Sequence, residues 1–162
     1  MRLNDTLEKA FNDQITMELT ASNVYRQLAI ELDYIDLPGM AAWMRAQAAE
    51  EIEHAEAFIS HLDARDNRAQ IGVIEKPEVK IGEPIDAFRI ALEHEEKVSA
   101  SIRALRNLAA EEGDVDSRKL LDGFLEEQIE EEDTVRTIIG RLTFVGSEGT
   151  GILLMDQELS KR

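Results

Sequence analysis

Four glutamates stand where helical apolar stripes should be unbroken. Glu18 lies in the run Leu7, Phe11, Gln14, Glu18, Ala21, Tyr25, Leu28, Leu32. Glu51 lies in Met44, Ala48, Glu51, Ala55, Phe58, Leu62, and Glu95 in Phe88, Ala91, Glu95, Val98, Ile102, Leu105, Ala109. Gln128 and Glu131 lie in Leu121, Phe124, Gln128, Glu131, Val135, Ile138, Leu142. The steps of three and four residues are those of one face of an α-helix. A carboxylate on such a face loses its water, which costs several kcal/mol unless donors or a cation compensate it. Four of them in one core repel one another, and protonation or a metal must resolve the conflict. His54 narrows the choice. It follows Glu51 by three residues, and side chains three apart on a helix project together. Carboxylates with an imidazole suit iron or manganese, and zinc is compatible with the same set. Cysteine is absent, so a thiolate site is excluded.

A lone Glu-x-x-His is a weak signal, and a lone seam glutamate is usually a bundle-end residue. The joint occurrence in all four stripes carries the inference of a dinuclear metal site. Read singly, Glu50, Glu53, Glu56, Glu126, Glu127, Glu130 and Glu132 are ordinary exposed charges. His61 and His94 read as surface or interface histidines, and Met17, Met40, Met44 and Met155 as packing.

The elements that must position these groups follow from the same periodicity. The first helix is expected from about Asp5 to Asp33, with Asn4, Asp5 and Thr6 offering caps. Pro38 suits the first turn of a second helix that runs to about Arg65. The turn between them is short, so the two lie antiparallel. Residues 66 to 84 lose the helical pattern. Val73, Ile74, Val79 and Ile81 read as extended, punctuated by Gly72, Pro77, Gly82 and Pro84. A connection of that length carries the chain from one end of a bundle to the other. The third helix is expected over about Ile85 to Glu112, the fourth over about Val115 to Val145. A glycine-rich turn then precedes a short fifth helix, Ile152 to Leu159. The chain reads as one domain, residues 1–145 forming the bundle and 146–162 a short helix and tail. Helices of about 28 residues span roughly 42 Å. Each seam glutamate falls near the middle of its own helix, and in such a bundle midpoints face midpoints.

Composition bounds the rest. The 162 residues carry 34 acids against 18 Lys and Arg, a formal charge of -16. Nucleic-acid binding is disfavoured and attraction of cations expected. No apolar stretch is long enough to span a membrane. No apolar segment follows Met1-Arg2-Leu3-Asn4-Asp5, so no secretory signal is expected, and a cytoplasmic location fits.

These residues resemble the ferritins, in their bacterial non-haem form. Gln14-Ile15-Thr16-Met17-Glu18, with Ala21-Ser22 and Tyr25, is similar to the first-helix motif of that family. Glu50-Glu51-Ile52-Glu53-His54 is similar to the second, His94-Glu95 to the third and Glu127-Gln128-Ile129-Glu130-Glu131 to the fourth. The resemblance spans essentially the whole chain. It implies an all-α, ferritin-like four-helix bundle with a long crossover between helices 2 and 3 and a short fifth C-terminal helix. It implies that Glu18 and His54 bind a first iron, that Glu51 bridges, and that Glu95 binds a second with Glu131 contributing and Gln128 beside it. Glu50, Glu127 and Glu130, sharing Glu131, would form a third iron site, and Tyr25 would sit against the centre. Homo-oligomerisation into a cage of twenty-four subunits is likewise implied.

Departures from neighbouring families matter too. The fourth helix has Gln128-Ile129-Glu130-Glu131 where bacterioferritin-like bundles carry a second Glu-x-x-His. Ile52 stands where haem-binding relatives place a Met after the bridging glutamate, so no haem is expected. Animal ferritins line a three-fold pore with acids at the positions of Leu121 and Arg118, so the sequence implies no such entry route here.

Hard oxygen ligands and negative charge favour Fe(III) over Fe(II). Two adjacent Fe(II) ions can therefore deliver two electrons to O2 or hydrogen peroxide, making the chain a ferroxidase that deposits ferric mineral. A di-iron oxidase of another substrate, or a non-catalytic acidic helical assembly protein, are the alternative readings.

Overall fold

The computed structural model describes residues 1–161. Five helices form, α1 (Asp5–Tyr34), α2 (Pro38–Ala64), α3 (Pro84–Glu111), α4 (Arg118–Val145) and α5 (Gly149–Leu159), and no strand occurs among the described residues. α1 packs chiefly on α2, α3 on α4, and α1 against α3 joins the two pairs.

Every residue of the four stripes is buried. The apolar ones divide into two clusters. One holds Tyr25, Leu28, Leu32, Met44, Phe88, Val135 and Ile138. The other holds Leu7, Phe11, Phe58, Leu62, Ile102, Leu121 and Phe124. Between them lies a polar slab containing Gln14, Glu18, Gln47, Glu51, Glu95, Ser99, Gln128 and Glu131, all buried. The apolar clusters stabilise the bundle through burial. The slab does not, and its retention in the middle of a core calls for a use.

Three helices end in the same way. Asp36 (φ 59°), Asp66 (φ 57°) and Gly113 (φ 72°) adopt the left-handed conformation. After each, the next N–H reaches back five residues: Leu37 to Leu32 O at 3.0 Å, Asn67 to Leu62 O at 2.9 Å, and Asp114 to Ala109 O at 2.8 Å. This is the Schellman closure, tolerated by aspartate as well as glycine. It reverses α1 into α2 within a few residues, as the sequence requires.

The crossover, 65–83, forms no strand; its β-branched residues do not pair. Side chains of α1 hold it instead. Asn12 Oδ1 accepts from Gln70 N at 2.7 Å and Thr16 Oγ1 from Gly72 N at 2.8 Å. Val79 and Ile81 pack on the core, while Val73 is exposed. α3 begins with Pro84 and a reciprocal cap between Glu83 and Asp86.

Two boundaries differ from expectation. α4 starts at Arg118 rather than near Val115. Buried Arg65 holds Asp114 at 2.8 Å and Asp116 at 3.8 Å, and Ser117 donates to Asp114, which keeps this stretch out of the helix. α5 starts at Gly149 rather than Ile152, because Glu148 accepts from Thr150 N and Gly151 N and caps the turn. α5 then docks on the start of α2, whose own N-cap, Leu37, offers no side-chain acceptor. Asp156 Oδ1 accepts from Met40 N at 2.7 Å in its place. A Cβ on Gly39 would lie 1.9 Å from the Asp156 carbonyl oxygen, so only glycine fits there. No described helix is long and apolar enough to cross a membrane.

Candidate metal centre

The polar slab brings the four seam glutamates to one level. Glu18 (α1), Glu51 and His54 (α2) each offer a ligand atom, and these atoms lie within 4.8 Å of one another. His54 Nδ1 is 3.3 Å from Glu51 Oε2, a charge contact rather than an aligned hydrogen bond. Glu95 (α3) takes two donors: the Tyr25 hydroxyl on Oε1, and Gln128 Nε2 on Oε2 at 3.0 Å. Glu131 (α4) accepts from Gln47 Nε2 at 3.0 Å. Glu18 Oε1 accepts from Gln14 Nε2 at 2.7 Å.

Three buried atoms of this group have no hydrogen-bond partner: Glu18 Oε2, Glu51 Oε2 and His54 Nε2. Each unmade bond costs about 1–3 kcal/mol or more for a charged group. They are acceptors and a ring nitrogen in one small volume, which is the donor set of a hard or borderline cation.

A second group lies on the other side of the same imidazole. Glu50, His54 and Glu127 also offer ligand atoms within 4.8 Å of one another. His54 Nε2 is 3.4 Å from Glu127 Oε1. His54 is buried while Glu50 and Glu127 are half-buried, so this group lies nearer the surface. Glu130 is exposed and does not join either group.

Without a cation the centre holds protons. Burial, then the charge of Glu51, pushes Glu18 up to about 8, against the pull of Gln14. Burial also raises Glu51, despite the neighbouring His54, and raises Glu95, despite the Tyr25 and Gln128 donors. Burial alone would lower His54, but contact with Glu51 and the charges of Glu51, Glu127 and Glu18 outweigh it and bring it to about 10. Burial, then the Glu95 charge, raises Tyr25 well above the usual phenol value, so it stays a donor. A cation entering the centre must displace these protons, which links binding to pH.

Several of these residues escaped the sequence reading. Periodicity alone does not single out Gln47 or Ser99, and it reads Glu132 as an exposed charge. Glu132 is instead covered, with Ser99 Oγ donating to its Oε1 at 2.6 Å and Arg136 on its Oε2. A signal existed for two of them. Gln47 stands four residues before Glu51, as Gln14 stands before Glu18, and Ser99 stands four after Glu95. His61 is not a free surface group: its Nε2 is 2.8 Å from Ser117 Oγ and its ring packs 5.2 Å from that of Phe11.

Comparison with known proteins agrees with this geometry. A family model described as a ferritin-like domain matches residues 8–145. The bacterial non-heme ferritin of Bacteroides fragilis is 32% identical over 160 residues, covering 99% of each chain. That of Campylobacter jejuni is 30% identical over 155 residues, 96% of this chain and 93% of the relative. Among solved structures, an open pore ferritin from Archaeoglobus fulgidus superposes with a TM-score of 0.97 at 31% identity, over 100% of this chain and 99% of that one. A slab of buried carboxylates, one from each long helix, within a fold and a sequence that both match over nearly their full length, places this chain in the ferritin family.

Proposed function

We propose that the polar slab is a ferroxidase centre, at which pairs of Fe(II) ions are oxidised before ferric mineral is stored inside a multi-subunit cage. Membership of the ferritin family makes this chain an iron-storage protein with iron-oxidising capacity. The observation that carries the finer reading is the convergence of Glu18, Glu51 and His54, with unpaired ligand atoms, on the buried level at which Glu95 interacts with the charges of Glu131 and Glu18.

In this reading Glu18 and His54 hold a first Fe(II), Glu51 bridges, and Glu95 with Glu131 holds a second, Gln128 beside it. Glu50 and Glu127, on the outer side of His54, form a third, more accessible site, while Glu130 stands outside it. Tyr25 keeps one oxygen of Glu95 in place through its hydroxyl. Two Fe(II) supply two electrons. With two protons these reduce O2 to hydrogen peroxide, or hydrogen peroxide to two waters, leaving two Fe(III). Glu18 and His54 release their protons as iron arrives and so provide the proton inventory within the site. The acidic ligand set favours the ferric product, and the absence of a second histidine beside Gln128 leaves that ion able to move on. Iron is substrate here; no haem is required.

Assembly is supported by the surface of a single subunit. Tyr34 and Phe144 are 87% and 94% exposed, and Val115, Leu153 and Leu154 are exposed with them. Phe144 and Leu154 line one shallow depression between α4 and α5, and a contiguous apolar patch of this kind marks a contact surface. We assign them to contacts between copies in a homo-oligomer of twenty-four subunits acting in the cytoplasm.

The test is aerobic Fe(II) loading well beyond the site stoichiometry, then size-exclusion chromatography with protein and iron detected together. Iron that stays soluble and co-elutes with a large particle is the expected result. Iron that precipitates, leaving only site-bound ions on a small oligomer, would overturn storage.

A further inference from the structure

Three glutamines line the polar slab, and each donates to a different carboxylate: Gln14 to Glu18, Gln47 to Glu131 and Gln128 to Glu95. A primary amide is ambiguous in shape. A half-turn about its last bond exchanges a two-proton donor for an acceptor. Which end faces the centre is decided by what the amide meets elsewhere.

For Gln128 the deciding group is Ser99, one turn beyond Glu95 on α3. Ser99 Oγ gives its only proton to Glu132 Oε1 at 2.6 Å. Glu132 is ion-paired with Arg136, which also reaches Glu96 at 3.8 Å. A carboxylate in an ion pair only accepts, so the hydroxyl proton stays on that side. Ser99 therefore meets Gln128 as an acceptor, and it accepts from Nε2 at 3.3 Å. The same nitrogen donates to Glu95 Oε2 at 3.0 Å and lies 3.3 Å from Glu95 O. Turned over, the amide would set its oxygen against the Glu95 carboxylate and the Ser99 lone pair. With the nitrogen committed to α3, the carbonyl oxygen lies on the opposite side of Cδ, where no described hydrogen bond uses it.

We propose that Ser99, anchored by Glu132 and Arg136, is a positioning residue that locks the Gln128 amide with its oxygen, not its nitrogen, available to a cation held by Glu95 and Glu131. This rests on the two-cation reading given above. Hard cations take oxygen ligands, and an amide N–H in that position would repel one. The relay reaches only the Glu95 side. Glu18 is served separately, by Gln14, whose own oxygen contacts Ser101 Oγ at 2.6 Å. Ser99 therefore acts on the second ion and leaves the first alone.

The test uses Co2+ under anaerobic conditions on the assembled protein, followed by calorimetry and by ligand-field absorption, so that the readout is occupancy and geometry rather than oxidation. Wild-type protein is expected to take up a pair of Co2+ ions in the centre. Ser99→Ala should leave the tighter ion unchanged and weaken the other about 10- to 100-fold, the loss that removal of an outer partner of a metal ligand brings. Ser99→Thr, which keeps the hydroxyl, should restore it. Glu132→Gln, whose amide can donate to Ser99 and free the hydroxyl proton, should reproduce the Ser99→Ala loss, and the double variant should add nothing further. Ser101→Ala should act on the tighter ion instead. Wild-type affinities and spectra in both Ser99→Ala and Glu132→Gln would overturn the proposal, as would equal weakening of both ions. A wild-type protein that binds a single Co2+ per subunit would remove the two-cation reading itself, which the variants cannot do.

Discussion

At His54 burial and neighbouring charge pull in opposite directions, and the acids prevail. Its proton is held to about 10, and that of Glu18 to about 8, against unfolded values of 6.5 and 4.5. The sign of the pH dependence follows. In both cases the folded chain keeps a proton that the unfolded chain releases. The His54 contribution is complete below 6.5 and is lost as pH rises through 10. The Glu18 carboxyl becomes progressively costlier to keep folded as pH rises from 4.5 to 8. Calorimetry of the metal-free protein should therefore show Tm falling between pH 6 and pH 9. Saturating Mn2+ should flatten or reverse that slope, since the cation replaces the protons. An unchanged slope with metal bound would place the cation elsewhere. Glu51→Ala removes the proposed bridge itself. Its initial Fe(II) oxidation rate, followed by ferric absorbance, should fall more than about 100-fold, beyond the loss from an outer partner. Tyr25→Phe leaves one oxygen of buried Glu95 without its hydroxyl donor. Metal-free stability should fall by about 1–3 kcal/mol, a Tm loss of about 2–4 °C per kcal/mol in a chain of this length.

Among the elements, α5 is the one whose attachment depends on few contacts. Asp156 supplies the acceptor that Leu37 cannot, and Gly39 leaves room for the α5 backbone. Asp156→Ala should lose about 1 kcal/mol, the usual worth of a helix cap. Gly39→Ala should do more, because the backbone it meets must move, and should expose the 146–150 turn to limited proteolysis. Equal cleavage rates in wild type and Gly39→Ala would mean α5 is held from elsewhere. The helices themselves were legible from the chain: the stripes predicted α1 to α4 with one shifted boundary. That shift, at the start of α4, arises because Arg65, distant in sequence, captures Asp114 and Asp116. Such competition is invisible to a local pattern. The crossover was legible as a connection, but its anchoring by Asn12 and Thr16 was not, because those side chains belong to a helix more than fifty residues away.

For the whole molecule, the exposed apolar side chains and the charge of -16 pull apart. Self-repulsion disfavours association, so apolar contact must offset it. Phe144→Glu with Leu154→Glu should shift the particle toward smaller species by light scattering at micromolar concentration, with the helical signal retained. An unchanged particle mass would show that these side chains do not meet between copies.

The sequence by itself determined the period of the stripes, the depth at which each is interrupted and the pairing of Glu51 with His54. These are properties of single helices, set by 3.6 residues per turn and by side-chain polarity. Only the tertiary structure decided which glutamine faces which carboxylate, that Glu132 turns inward to Ser99 and Arg136, that Asp156 caps another helix, and that one imidazole faces two acidic groups. Those outcomes depend on the rotation and axial offset of each helix against its neighbours. Small changes in either exchange one partner for another while the stripes stay as they are.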